Sequence, residues 1–141
     1  MGQQQYFVCN RTQEIIEQDI SLQKVTENGE YFKKQLLELQ TRHELIGDVR
    51  GKGLILGVEL VEDRVTKEPA AVKTAAICYR AYELGLIVFY VGVHGNVIEI
   101  TPPLNIDKAE IDQAVAILEQ AFKDVEAGNI DMNKVKQFAG W

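Results

Sequence analysis

The sequence is poor in cysteine and in long apolar runs, and each shortage excludes a class of protein. Two cysteines, Cys9 and Cys78, lie far apart in 141 residues and make no disulfide framework, so reduced thiols and a cytoplasmic location are expected. No apolar run approaches the length that spans a bilayer. No basic flank followed by an apolar stretch marks a secretory signal. A membrane is therefore not expected as a partner.

An excess of basic residues is also missing. The chain has 15 lysines and arginines against 21 aspartates and glutamates, which gives a formal net charge of −6. Such a chain has no global attraction to nucleic acid or to anionic membranes, so neither is an expected partner. Hydrophobic residues make up 46% and charged residues 26%, as in ordinary folded domains. At 141 residues the chain is long enough for one domain with one core.

Motifs for nucleotides and metals are missing as well. The glycines of Gly51-x-Gly53-x-x-x-Gly57 have the wrong spacing for a dinucleotide fingerprint, and a strand pattern follows them where a helix is required. His43 and His94 lack the clustered ligands of a zinc site, so we interpret His43 as a surface residue near a helix end and His94 as a turn residue. The residues by themselves therefore predict no catalytic, cofactor or metal site.

The first half of the sequence does contain a clear helical pattern. Helical spacing begins at Asn10 or Thr12 and predicts one long helix, or two helices with a bend near residues 19–21. Gly29 lies on the apolar stripe, where close packing against another backbone is its expected reason. The stripe comprises Leu22, Val25, Gly29, Phe32, Leu36 and Leu39. A β-type run at 46–61, broken by glycines, predicts two short strands or one bulged strand.

Strand and helix patterns continue in the second half. A helical pattern ends at Gly85, and the apolar run 86–91 predicts a central strand. Residues 97–101 predict the next strand, and Asp107 with Glu110 has the form of a capping box for a helix that ends at Gly128. One more short turn is expected around Val135 and Phe138. The order predicts an α+β fold of two layers, in which a short, mostly antiparallel sheet carries helices on one face.

Four stretches occur in an order that identifies a family resemblance. They are residues 46–60 (IGDVRGKGLILGVEL), 66–70 (TKEPA), 85–88 (GLIV) and 95–104 (GNVIEITPPL), and a closing helix begins near residues 110–112. Together they resemble the C-terminal small domain of the class III (4-aminobutyrate/ornithine type) pyridoxal-phosphate aminotransferases, which have the fold-type I architecture. The resemblance divides the chain into a start segment or expression remnant (1–11), the class III C-terminal domain (12–126) and a C-terminal tail (127–141).

The resemblance implies an incomplete catalyst. In this family a large domain supplies the lysine that binds the cofactor, the aspartate at its pyridine nitrogen and the phosphate cup. None of the ten lysines here lies in the family's strand–lysine context. The resemblance thus implies pyridoxal phosphate in the full-length enzyme and no cofactor in this chain alone.

Glu99 is the most informative polar position. Strand alternation places Ile98 and Ile100 on one face and Val97, Glu99 and Thr101 on the other, so the Glu99 carboxylate either reaches solvent or faces a site. By resemblance, this position holds the family's substrate-binding arginine, which pairs with a carboxylate. The resemblance therefore implies a substrate-binding position with reversed charge.

Two functions follow as hypotheses. The first is a C-terminal fragment of a class III aminotransferase, which transfers an amino group between an amine or amino acid and an oxo acid; the fragment completes the substrate pocket and is inactive alone. The alternative is a stand-alone, non-catalytic remnant that acts as an oligomerisation or interaction domain. The expected partners are the missing large domain and further copies of the chain, because severed apolar surface promotes self-association.

Overall fold

A computed structural model describes the backbone of residues 2–139 and the side chains of residues 10–18 and 20–137. Within that part of the chain, five helices and four strands follow one another. They are α1 (Gly2–Asp19), α2 (Leu22–Arg42), β1 (Ile46–Lys52), β2 (Ile55–Leu60), α3 (Ala71–Glu83), β3 (Phe89–Val91), β4 (Val97–Ile100), α4 (Lys108–Glu126) and α5 (Met132–Ala139). None of these helices is long and apolar enough to cross a bilayer.

The described strands form one antiparallel sheet in the order β1-β2-β4-β3. Helices α2 and α3 pack on one face of the sheet, and α4 packs on both helices. The core lies between these layers, and strands and helices both contribute to it. Its largest fully buried side chains include Phe32, Leu36, Leu39, Ile46, Leu60, Ile77, Ile98, Ile111, Leu118 and Phe122. The predicted α+β fold, with a short antiparallel sheet and helices on one face, is confirmed.

The region before the sheet contains two helices rather than one. Helix α1 ends at Asp19 and α2 begins at Leu22. Between them, the Ser21 hydroxyl accepts a hydrogen bond of 3.3 Å from the Lys24 amide, which satisfies one of the free N–H groups at the start of α2. The bend near residues 19–21, one of the two predicted possibilities, is confirmed.

The prediction that helical structure begins at Asn10 or Thr12 is wrong, because α1 begins at Gly2. The sequence pattern reports a helix through the apolar stripe that it buries. Residues 10–18 of α1 contact no other described element, and Ile15 is 40% exposed. This described part of the helix therefore has no core-facing stripe that the pattern could reveal. The Cys9 side chain lies outside the described residues.

Gly29 allows α2 to touch the β1–β2 hairpin. A Cβ atom built on Gly29 would lie 2.3 Å from the carbonyl carbon and oxygen of Gly53, a distance that real Cβ atoms do not adopt. The predicted close packing against another backbone is confirmed. The hairpin itself is the predicted pair of short strands, with a register irregularity between Ile46 and Asp48.

The prediction of a central strand at residues 86–91 is wrong in extent and in position. Strand β3 covers only Phe89–Val91 and lies at an edge of the sheet, paired with β4 alone. Ile87 and Phe89 are 70% and 67% exposed. A continuous apolar run is typical of a strand buried on both faces. Here the run borders an uncovered sheet face instead.

His43 is buried, so its interpretation as a surface residue is wrong. Its ring stacks on Phe122 with centroids 5.1 Å apart, and its Nδ1 lies 2.8 Å from Glu126 Oε2 on α4. The residue caps the C-terminus of α2, and that end turns inward against α4. From outside, the Arg64 guanidinium donates to the backbone carbonyls of Gln40 and His43 at the end of α2, where carbonyls have no partner within the helix.

The C-terminal part follows its predicted signals. The capping box is present, with the Asp107 and Glu110 side chains each accepting the other's backbone N–H at 2.9 Å. Gly128 directly follows the last turn of α4 with φ +72°. The short turn expected around Val135 is the helix α5, whose Val135 is buried against α3. The Phe138 side chain lies outside the described residues.

Candidate substrate-binding face

The uncovered face of the sheet carries a row of four residues from four strands. Register pairs Arg50 of β1 with Gly57 of β2, Gly57 with Glu99 of β4, and Glu99 with Phe89 of β3. Ile98, next to Glu99, is 1% exposed and faces the core, so the predicted alternation along β4 is confirmed. The Glu99 carboxylate therefore stands on the face opposite the helices, half-buried between its neighbours.

A shallow depression lies over the middle of this row. Its volume is about 490 Å³, and Gly57 contributes no side chain to fill it. A Cβ atom on Gly57 would already lie 3.3 Å from Val97 Cγ1. The residues around it combine one cation, one carboxylate and apolar side chains: Arg50, Ile55, Val91, Val97 and Glu99.

Arg50 is already paired within its own strand and with β2. Its Nη1 lies 2.9 Å from Asp48 Oδ2 and 2.5 Å from Glu59 Oε2. These two carboxylates raise the pKa of the Arg50 guanidinium, Asp48 more strongly than Glu59. In contrast, the Glu99 side chain forms no hydrogen bond or ion pair with any described side chain. On this face the Arg50 guanidinium is therefore already paired, whereas the Glu99 carboxylate is available to a ligand.

A second cavity, also of about 490 Å³, opens between α4 and the β3–β4 edge. Its walls are mostly apolar. They include Phe32, Val88, Pro103, Ala114 and Ile117, with Glu99 and Glu110 as charged members. Glu99 thus borders both of these cavities.

The residues present do not fit pyridoxal phosphate as a covalently held cofactor. That cofactor needs a lysine whose amine is fixed in a pocket. No lysine lines either cavity, and every lysine whose side chain is described is at least partly exposed. Among the side chains that the structure describes, no group of three His, Cys, Asp or Glu could hold a metal.

Two other residues considered in the sequence lie away from this face. His94 is exposed in the turn before β4, so its interpretation as a turn residue is confirmed. Cys78 lies in the core of α3, and burial raises the pKa of its thiol to about 12. Neither group can act as a nucleophile or base in the depression.

Sequence reasoning singled out Glu99 but missed Arg50 and Gly57 as its neighbours. The three residues lie on different strands, and only the register of β1, β2 and β4 brings them into one row. The glycine pattern had indicated a distorted strand. A signal was nevertheless present, because a glycine such as Gly57 has no side chain and leaves an opening on a sheet face.

Comparison with known proteins identifies the family of this chain. The model of the class III aminotransferases matches residues 4–122. The chain is 46% identical to the leucine/methionine racemase of Thermococcus litoralis over 129 residues, which is 92% of this chain and 28% of that protein. It is 39% identical to the 4-aminobutyrate aminotransferase of Escherichia coli over 112 residues, 79% of this chain and 26% of that protein.

Solved structures agree with the sequence matches. A Bacillus anthracis aminotransferase has a TM-score of 0.73 at 36% identity, over 78% of this chain and 26% of that one. A transaminase bound to L-alanine has the same TM-score at 35% identity, over 85% and 27%. The chain thus spans about a quarter of the length of these relatives. The family model covers most of the chain, and the relatives and solved structures agree with it. This chain therefore belongs to the class III aminotransferase family.

Proposed function

We propose that this chain is the C-terminal domain of a pyridoxal-phosphate-dependent enzyme of this family, and that it closes over the active site and completes the substrate pocket. The observation that carries the proposal is the uncovered sheet face. It places Glu99 and the depression over Gly57 among exposed apolar side chains such as Ile55 and Phe89. A sheet face of this kind is suited to a second protein layer.

By itself the chain is proposed to be inactive and to bind pyridoxal phosphate weakly at best. The chemistry of the class depends on a lysine in a built pocket, and no lysine lines either of the two cavities described above. The proposed partner is therefore the large domain of the same enzyme, and the proposed location is the cytoplasm. The quarter-length match to the relatives supports this division of labour.

The reaction of the whole enzyme is proposed to be amino-group chemistry on an amine or amino acid. The names of the relatives point to two variants, transfer to an oxo acid and racemisation. Leucine/methionine racemase and isoleucine 2-epimerase stand for racemisation, and 4-aminobutyrate aminotransferase for transfer. All of these names concern amino compounds, so the amino group is the feature that the proposal retains.

Reconstitution in two pieces tests the proposal. The Thermococcus litoralis racemase, truncated before the region that matches this chain, is expressed alone and together with the chain. We expect bound pyridoxal phosphate and conversion of leucine or methionine only when both pieces are present. The chain alone should give no cofactor absorbance that depends on one lysine.

A matched pair of variants gives the control for this experiment. Phe89→Lys lies on the uncovered face and should abolish reconstitution. Val65→Lys changes another exposed apolar residue, 90% exposed in the β2–α3 loop, and should leave reconstitution intact. A stable cofactor complex of the chain alone, lost on mutation of one lysine, would contradict the proposal.

The alternative is a non-catalytic remnant that serves as an oligomerisation or interaction domain. The same uncovered face favours it, because exposed apolar surface promotes association. The two proposals differ in one outcome. A remnant would self-associate without restoring activity to the truncated racemase.

A further inference from the structure

We propose that Glu99 makes this face select amino compounds whose far end is uncharged or cationic and reject those that carry a second carboxylate. This inference rests on the proposed function, since it names the substrate class for the same pocket. It goes beyond it, because completing a pocket does not determine which charge the pocket accepts.

The Glu99 carboxylate is isolated from other polar side chains. Its strand neighbours Gly57 and Phe89 offer no hydrogen-bonding side chain, and no cation of the described residues pairs with it. A half-buried carboxylate that lacks a partner gains most from a cationic ligand group, since an ion pair is stronger where water is partly excluded.

The charge around the depression is mostly negative. Arg50 is the cation on its rim, and Asp48 and Glu59 already hold that guanidinium. With Glu99 added, this part of the face carries three carboxylates and one positive charge. A ligand carboxylate placed here would approach a net negative surface and would have to displace an existing pair, so like-charge repulsion disfavours it.

Part of the rim of the depression is apolar. Val97 and Ile55 border the depression directly, and Phe89 stands beyond Glu99 in the same row. Such surfaces bury the hydrocarbon part of a ligand. An uncommitted carboxylate among apolar side chains therefore fits a ligand with an ammonium group and a hydrocarbon chain. It does not fit a dicarboxylate.

Binding to the chain itself is the direct test. Nuclear magnetic resonance titrations of the isotope-labelled chain use n-butylammonium and, separately, glutarate. We expect n-butylammonium at millimolar concentrations to shift the amide resonances of Gly57, Val97 and Phe89, with glutarate leaving them in place. The shifts should disappear in Glu99→Gln and persist in Glu30→Gln, a control on the exposed face of α2.

Kinetics give the second test. The truncated racemase is fused to this chain, and kcat/KM for racemisation is compared for leucine and glutamate. Relative to leucine, glutamate should gain about tenfold in Glu99→Gln and about a hundredfold in Glu99→Arg, since a repulsion is removed and then reversed. Glu30→Arg should leave the ratio unchanged.

The outcomes separate this inference from the proposed function. Shifts with glutarate as large as with n-butylammonium, or shifts that survive Glu99→Gln, overturn the selectivity of Glu99. A glutamate-to-leucine ratio of kcat/KM that stays within twofold of the parent in both Glu99 variants of an active fusion overturns it too. A fusion that binds no cofactor counts against the proposed function, and the titration then decides the role of Glu99 alone.

Discussion

A single methyl group at Gly29 tests the closest approach between two elements. Alanine at an exposed helix position normally stabilises by about 1 kcal/mol relative to glycine. Here the new Cβ would meet the Gly53 backbone at 2.3 Å, and backbone cannot rotate away as a side chain can. We expect Gly29→Ala to lower the free energy of unfolding by about 2 kcal/mol, the usual cost of overpacking.

Urea unfolding monitored by circular dichroism measures this change. Glu30→Ala, on the exposed side of the same turn, serves as the control and should stay within about 0.5 kcal/mol of the parent. A Gly29→Ala variant as stable as the parent would show that α2 does not lie against the hairpin.

The thiol of Cys78 provides a second prediction at the scale of one residue. The side chain is 1% exposed, and burial raises its pKa to about 12 because the thiolate would lose its hydration. Alkylation of Cys78 in the folded chain should therefore stay slow up to pH 9 and become fast in urea. Peptide mapping by mass spectrometry separates this site from Cys9. Rapid native alkylation at Cys78 would contradict the packing of α3.

At the scale of elements, an ion pair joins α3 to α4. Arg80 Nε lies 2.7 Å from Asp124 Oδ2, and this hydrogen bond is the main reason that the pKa of Asp124 is lowered. A lowered pKa in the folded state means that the pair stabilises the fold at neutral pH. That contribution is lost as the pH falls below the ordinary aspartate value of about 3.9.

The prediction is that Asp124→Asn costs about 1 kcal/mol at pH 7, where the pair is ionised and partly shielded from water. The stabilities of the variant and the parent should converge between pH 4 and pH 2, because protonated Asp124 loses the same interaction. Thermal melts across this range give the comparison. Glu30→Gln should follow the parent at every pH, and a constant difference for Asp124→Asn would refute the assignment.

The elements also indicate where sequence reasoning succeeds. The glycine at residue 128 and the capping box at Asp107 are local signals, and each lies where predicted. The edge position of β3 and the burial of His43 depend on partners distant in sequence, namely β4 and Phe122. Periodicity along one segment contains no record of such partners. Glu99 could be placed on the correct face, whereas its row of neighbours required the sheet register.

At the scale of the whole molecule, no described element covers one face of the sheet. Ile55, Phe89 and Val91 are 70%, 67% and 39% exposed on it, although such side chains ordinarily lie inside. In the absence of the proposed large domain, the chain should therefore self-associate as its concentration rises. Light scattering or sedimentation equilibrium measures the average mass.

The variants for this prediction separate the face from general surface hydrophobicity. Ile55→Lys with Phe89→Lys should shift the association to at least tenfold higher concentration, about 1.4 kcal/mol in the association free energy. Val65→Lys should leave it unchanged. A monodisperse monomer of the parent chain at high concentration would argue against both the association and the remnant hypothesis.

The contact between Gly29 and Gly53 has a mechanical meaning. Strands β1 and β2 are joined at that turn, and they carry Arg50 and Gly57 of the candidate face. Because no side chain lies between them, the backbones of the helix and the hairpin are in direct contact. A rotation of α2 would therefore carry the hairpin with it, and the hairpin forms the floor of the depression.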